Sequence, residues 1–186
     1  GEALAGVLPE INAELEKAGS SKRYKNLLGV TLGTGFGGGV VINNVLLTGD
    51  NGCGGDVWCS VNKYNSDLIS EEGVSIRAVK RVYKELSGDN SELTPKDIYD
   101  IAEGEKKGDQ QAAIDAFEAL GRVAGFTIAE SLNIVDGIVV LGGGISKAYK
   151  YILSAMINEM HGTRSMISGS IFPRLQMKVY NLMNDT

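Results

Sequence analysis

Residues typical of metal sites and of disulfide-stabilised folds are scarce in this chain. Its 186 residues include two cysteines, one histidine and three prolines. Cys53 and Cys59 have the spacing C-x5-C, and His161 follows about a hundred residues later. A structural zinc site needs four ligands with shorter cysteine spacings, so we expect these residues to hold no metal and the chain to bind no zinc. A disulfide between the two cysteines stays open, but two free thiols in an acidic globular chain fit a cytoplasmic location better.

Long apolar segments and basic segments are also missing. A membrane-spanning helix needs roughly 18 consecutive apolar residues, and no run approaches that length. The 18 Lys and Arg against 23 Asp and Glu give a net charge of −5 without a basic block, which disfavours a broad duplex-binding face. Residues 1–4 resemble neither a signal peptide nor a natural start. We therefore expect a piece of a longer cytoplasmic protein with no membrane partner.

Glycine is the residue that the chain has in excess. It accounts for 25 of 186 residues, about 13% against a usual ~7%, in a chain whose length predicts one domain. The predicted elements are helices over 2–17, 71–86, 109–132 and from Ser146 to 160, a further helix from Thr94 and Pro95, and strands over 27–32, 40–42, 45–47, 135–141 and 175–182. This order predicts an α/β domain with a mixed sheet and flanking helices.

Three glycine-rich segments, 33–39, 49–55 and 141–144, carry the functional signal. The first matches the dinucleotide pattern G-x-G-x-x-G, which requires a helix to begin within the loop. Strand-forming residues follow instead, and no Walker motif occurs in the chain, so neither of these nucleotide sites is indicated. A hairpin tip with successive backbone N–H groups and no Cβ still suits phosphate oxygens. The alternative interpretation is a tight, twisted turn without a ligand.

Taken in order, these segments resemble the ROK family of repressors, open reading frames and kinases. Residues 29–43 (GVTLGTGFGGGVVIN) are similar to the family's second phosphate loop and its hairpin, and 139–146 (VVLGGGIS) to its adenosine-contacting segment. Residues 51–59 (NGCGGDVWC) stand where the family usually has G-x-x-G-E-I-G-H. The resemblance covers nearly the whole chain. It implies one lobe of the actin-like or hexokinase-like ATPase fold, which is ribonuclease H-like.

The resemblance also implies a function and its ligands. It implies phosphorylation of a sugar, a hexose or an N-acetylhexosamine, with ATP and Mg²⁺ as cofactors. Two alternatives stay open, a sugar-sensing repressor lobe without kinase activity and a nucleotide-free interaction domain. A homo-oligomer, dimer or tetramer, is implied, and nucleic acid is a partner only of the repressor. The implied nucleotide-binding residues are Gly33, Thr34, Gly35, Gly142, Gly143 and Gly144, and the implied sugar-binding residues are Asp56, Cys59 and Glu71.

The sequence departs from the family pattern in two respects. The family's C-x-C-G-x-x-G-C zinc motif is missing, so zinc is not expected, and we predict that packing, with Trp58 as a candidate, holds residues 60–70 instead. The family's first phosphate hairpin and the aspartate that acts as general base belong ahead of a helix like 2–17. We therefore expect the larger C-terminal lobe, truncated at both ends, with no catalytic residue in this chain and no activity alone.

Overall fold

A computed structural model describes residues 6–182 and contains one four-stranded sheet with helices around it. The strands and helices are, in chain order, α1 (Val7–Lys17), β1 (Leu27–Leu32), β2 (Phe36–Ile42), β3 (Val45–Leu46), α2 (Ile76–Ser87), α3 (Pro95–Ala102), α4 (Gln110–Val135), β4 (Ile138–Gly142), α5 (Tyr149–Met160), β5 (Thr163–Ser165) and β6 (Ile171–Pro173). The sheet order is β3-β2-β1-β4. Because β1 pairs antiparallel with β2 and parallel with β4, the sheet is mixed, as the sequence predicts.

Strand β1 is the centre of the fold because its two faces belong to different hydrophobic clusters. Leu28, Val30 and Leu32 lie in the main core together with α4 and α5. Leu27 lies instead in a smaller cluster with Leu8 of α1. Successive side chains of a strand point to opposite faces, so this alternation places α1 on one side of the sheet and the α4–α5 layer on the other. Burial of each large apolar side chain stabilises the fold by ~1.5–3 kcal/mol.

Helices α4 and α5 pack closely because glycines of α4 face the backbone of α5. A Cβ on Gly121 would overlap the carbonyl oxygen of Ile152, and one on Gly125 would overlap that of Met156. No side chain fits between the two backbones at these positions. The Asp109 side chain caps the start of α4, since its carboxylate accepts the Ala112 N–H at 3.0 Å.

Several predicted boundaries are wrong. Strand β2 begins at Phe36, so three glycines predicted to form the turn lie within the strand. Helix α2 begins at Ile76 and not near Glu71, because Glu71 lies in a separate 3₁₀ turn, Ser70–Glu72, and the Ser75 side chain caps the helix. The predicted helix over 2–17 is observed over Val7–Lys17, and its first four residues lie outside the described part of the chain.

The end of the chain differs most from the prediction. Ser146 does not cap a helix; its hydroxyl donates to the Gly143 carbonyl at 2.6 Å within a 3₁₀ helix, Gly144–Ala148, that precedes α5. No strand forms over 175–182, which is where the described residues end. Leu175 is buried and Met177 packs against the main core, so these apolar side chains are covered without strand pairing. Within residues 6–182, no helix is long and apolar enough to cross a membrane.

Candidate functional site

Two of the glycine segments come together at one edge of the sheet. Strands β1 and β4 are parallel, with Thr31 opposite Gly142, so the segments that follow them leave the sheet side by side. Gly143 has φ +90° and lies so close to β1 that a Cβ would overlap the Leu32 carbonyl oxygen. Ligands of α/β sheets bind outside the carboxyl ends of parallel strands. The predicted phosphate and adenosine segments therefore lie where a nucleotide could contact both.

The hairpin between β1 and β2 is fixed by its own backbone and by α2. Gly33 N–H donates to the Gly35 carbonyl at 3.1 Å, and the Gly33 carbonyl accepts the Ile76 N–H at 2.9 Å. Within the described residues, the N–H groups of Thr34 and Gly35 have no backbone acceptor, and Thr34 is exposed. The tip thus offers two N–H donors and one hydroxyl, and not the longer run of free N–H groups that the sequence suggests.

Glu71 is held against this hairpin. Its Oε2 accepts the Phe36 N–H at 3.1 Å, and a Cβ on Gly35 would overlap that same oxygen. Glu71 and the hairpin are far apart in the sequence, and they meet because the 3₁₀ turn Ser70–Glu72 reaches the hairpin. They share an open cleft of about 510 Å³. The lining residues are Thr31, Gly33, Thr34, Gly35, Phe36, Gly37, Trp58 and Glu71.

The other two sugar-binding candidates lie beside this cleft. Asp56 precedes the 3₁₀ turn Val57–Cys59, and both Asp56 and Cys59 are exposed. The Cys59 thiol donates to the Asp56 carbonyl at 3.2 Å, so this contact leaves the Asp56 carboxylate unused. Trp58, between them, forms part of the cleft wall. Among the three candidates, only Glu71 lines the cleft in this structure.

Polar contacts tie the loop at 60–70 to α5. Glu159 of α5 accepts bonds from the Lys63 ammonium and the Tyr64 hydroxyl, each at 2.5 Å, and pairs with Arg174 at the same distance. Burial and then the bond to Glu159 raise the pKa of Tyr64 to about 12. Trp58 remains 40% exposed. The prediction that Trp58 packing holds the loop stays a prediction.

Two glycines of the site have open space where a side chain would stand. A Cβ on Gly33 or on Gly144 would meet no atom within 4 Å, and neither residue has a positive φ. Glycine is required where φ is positive or where a neighbour approaches closely, and Gly35 and Gly143 meet those conditions. Gly33 and Gly144 do not. Open space above both residues suits the close approach of a ligand.

Comparison with known proteins identifies the family. The family model described as "ROK family" matches residues 10–166, which is most of the chain. The chain belongs to the ROK family. The resemblance inferred from the three glycine segments is thereby confirmed, and so is the mixed α/β fold, which the structural relatives share.

Several ROK relatives are named as sugar kinases. A glucokinase from Parabacteroides distasonis, known from a crystal structure, has 59% sequence identity to this chain and a TM-score of 0.82. The match covers 83% of this chain and 44% of that chain. A glucokinase of Thermotoga maritima is 30% identical over 70% of this chain and 46% of its own length. An N-acetyl-D-glucosamine kinase of Pasteurella multocida is 29% identical over 72% of this chain and 48% of its own length. Xylose repressors also match.

This ROK chain spans about half the length of the curated relatives that it matches. Within residues 6–182, no group of three or more His, Cys, Asp or Glu side chains is placed to hold a metal ion. The expectation that zinc is absent stays a prediction, as do Mg²⁺, the oligomeric state and the cytoplasmic location. Sequence reasoning did not identify Trp58 as a cleft residue; the available signal was its position between two sugar-binding candidates, Asp56 and Cys59.

Proposed function

We propose that the full-length protein is an ATP-dependent sugar kinase and that this chain is its larger C-terminal lobe. In this proposal the chain supplies the nucleotide site and part of the sugar pocket. The relatives named glucokinase and N-acetyl-D-glucosamine kinase support the reaction class and a hexose or N-acetylhexosamine substrate. The observation that carries the proposal is the empty space above Gly33 and Gly144, on two loops that meet at one sheet edge.

The residues divide between the two ligands. The N–H groups of Thr34 and Gly35 and the Thr34 hydroxyl bind phosphate oxygens of ATP, and the segment 142–144 lies against the adenosine. Glu71, which lines the cleft, accepts hydrogen bonds from sugar hydroxyls, and Asp56 and Cys59 reach the sugar from the neighbouring turn. Mg²⁺ enters with ATP and neutralises charge on its phosphates.

Phosphoryl transfer depends mainly on positioning and on charge stabilisation. A sugar hydroxyl attacks the γ-phosphorus, and an aspartate accepts the hydroxyl proton. We assign no base to this chain, and the proposal places that aspartate in the other lobe. This lobe then contributes to catalysis by holding the ATP phosphates at the hairpin and the sugar at Glu71.

Alanine substitutions at the two empty positions test the nucleotide site. Gly33→Ala and Gly144→Ala should not lower the urea midpoint of the chain, because the new methyl group meets no atom within 4 Å apart from its chain neighbours. In the full-length protein each should weaken Mg-ADP binding at least fivefold in calorimetry, as should Thr34→Val. Unchanged affinity in all three variants would remove the nucleotide assignment.

The repressor alternative is favoured by one observation, the match to xylose repressors. It predicts that the full-length protein binds a sugar without phosphorylating it. A coupled assay with ATP and a panel of hexoses and N-acetylhexosamines, run beside sugar calorimetry, separates the two. Phosphorylation supports the kinase, and sugar binding without turnover supports the sensor.

A further inference from the structure

A cluster of four charged residues lies beside the cleft: Glu71, Glu72, Arg77 and Arg81. The Arg77 Nη2 is 3.3 Å from Glu71 Oε1 and 3.0 Å from Glu72 Oε1. Arg81, one helical turn later, also binds Glu72: its Nη2 donates to the Glu72 carbonyl at 2.6 Å, and its Nη1 lies 3.5 Å from Oε2. Its other ion pair is with Glu85, at 3.8 Å. Arg77 is thus the arginine that joins Glu71 to this cluster.

Contacts on two sides restrict the Glu71 carboxylate. One oxygen accepts the Phe36 N–H, and the absence of a side chain at Gly35 leaves the space that this oxygen occupies. The other oxygen faces the Arg77 guanidinium. The Glu71 side chain is 24% exposed, so solvent screens it less than a free surface carboxylate.

The neighbouring Glu72 makes the cation necessary. Two adjacent carboxylates repel each other, and an opposite charge between them offsets that repulsion. Without Arg77, the Phe36 N–H alone would oppose rotation of Glu71 away from Glu72. Hydrogen bonds to Glu72 and then to Glu71 raise the pKa of Arg77, as expected for a guanidinium that faces two carboxylates.

We propose that Arg77 is a positioning residue of the sugar site, which holds the Glu71 carboxylate against the hairpin and in the cleft. The inference rests on the proposed function, because it assigns a role in sugar binding to a contact seen in the structure. The pair is not a helical i, i+4 pair. It exists because the 3₁₀ turn Ser70–Glu72 brings Glu71 alongside the first turn of α2.

The test compares Arg77→Met with Arg81→Met in the full-length protein. Both substitutions remove an arginine from the same helix and a contact with Glu72, but only Arg77 touches Glu71. Exposed ion pairs are weak and are screened by solvent, so Arg77→Met should raise the KM for the sugar only about two- to fivefold. The KM for ATP should change less than about twofold, and Arg77→Lys, which keeps the charge, should recover part of the sugar affinity.

A second measurement does not depend on activity. In the 186-residue chain, Arg77→Met should shift the NMR signal of the Phe36 amide, which donates to Glu71, and Arg81→Met should leave that signal in place. Equal sugar KM values for the two methionine variants, or equal responses of the Phe36 amide, would overturn the inference. If the wild-type protein neither phosphorylates nor binds a sugar but the amide responds selectively, the proposed function fails and the hold of Arg77 on Glu71 stands.

Discussion

Replacement of Gly35 by alanine should destabilise the chain through one identified contact. A Cβ at this position would overlap Glu71 Oε2 and lie 3.1 Å from Glu71 Cδ. The φ of Gly35 is not in the left-handed region, so an alanine there introduces no backbone strain. The carboxylate must therefore move, and it then loses its bond from the Phe36 N–H at 3.1 Å.

The magnitude follows from the bond that is lost. Hydrogen bonds to charged groups contribute about 1.5–3 kcal/mol. The Glu71 side chain is already 24% exposed, and a displaced carboxylate recovers hydration, so we expect a net loss of about 1–2 kcal/mol. With a urea m-value of about 2 kcal/mol/M, the unfolding midpoint falls by about 0.5–1 M.

A double-mutant cycle isolates the contact. Gly35→Ala is measured by urea unfolding in the wild-type chain and again in a Glu71→Ala background, where the carboxylate is gone. The cost should fall to within about 0.5 kcal/mol of zero in the second background. Gly33→Ala serves as the matched control, because its Cβ meets nothing within 4 Å. An equal cost of Gly35→Ala in both backgrounds would refute the reasoning.

Two further predictions concern the frame around the site. Gly125→Ala should lower the free energy of unfolding, measured in urea, by about 1–3 kcal/mol. The new Cβ would overlap the Met156 carbonyl oxygen and separate α4 from α5. An unchanged urea midpoint would contradict this close packing. Glu159→Gln should cost about 3 kcal/mol at pH 7, because it leaves Arg174, 4% exposed, without its charge partner. Burial opposes ionisation of Glu159, but the bonds from Lys63, Tyr64 and Arg174 lower its pKa. This stabilisation is present above the unfolded pKa of about 4.3 and lost as the pH falls through the folded pKa. The difference from wild type in unfolding curves should therefore shrink from pH 7 to pH 3, and a constant difference would show that charge is not its cause.

Local signals in the sequence predicted much of the fold correctly. The hairpin of β1 and β2 follows from two apolar runs around a glycine turn, and Asp109 marks the start of α4. Such features depend on residues within about four positions of one another, so the sequence displays them directly. The strand predicted over 175–182 is wrong because a local pattern of apolar residues indicates burial and does not indicate a strand partner. Here the apolar side chains are buried without strand pairing.

The family and the glycine loops were determined by the sequence, because the loops are contiguous and their order is specific. Tertiary structure decided which of these loops lie next to each other, since the pairing of β1 with β4 places Gly142 beside Thr31. The bond from Phe36 to Glu71 likewise joins two segments whose spacing has no helical or strand period. A linear pattern reports which face of its own element a residue occupies. Which distant segment meets that face depends on how the whole chain packs.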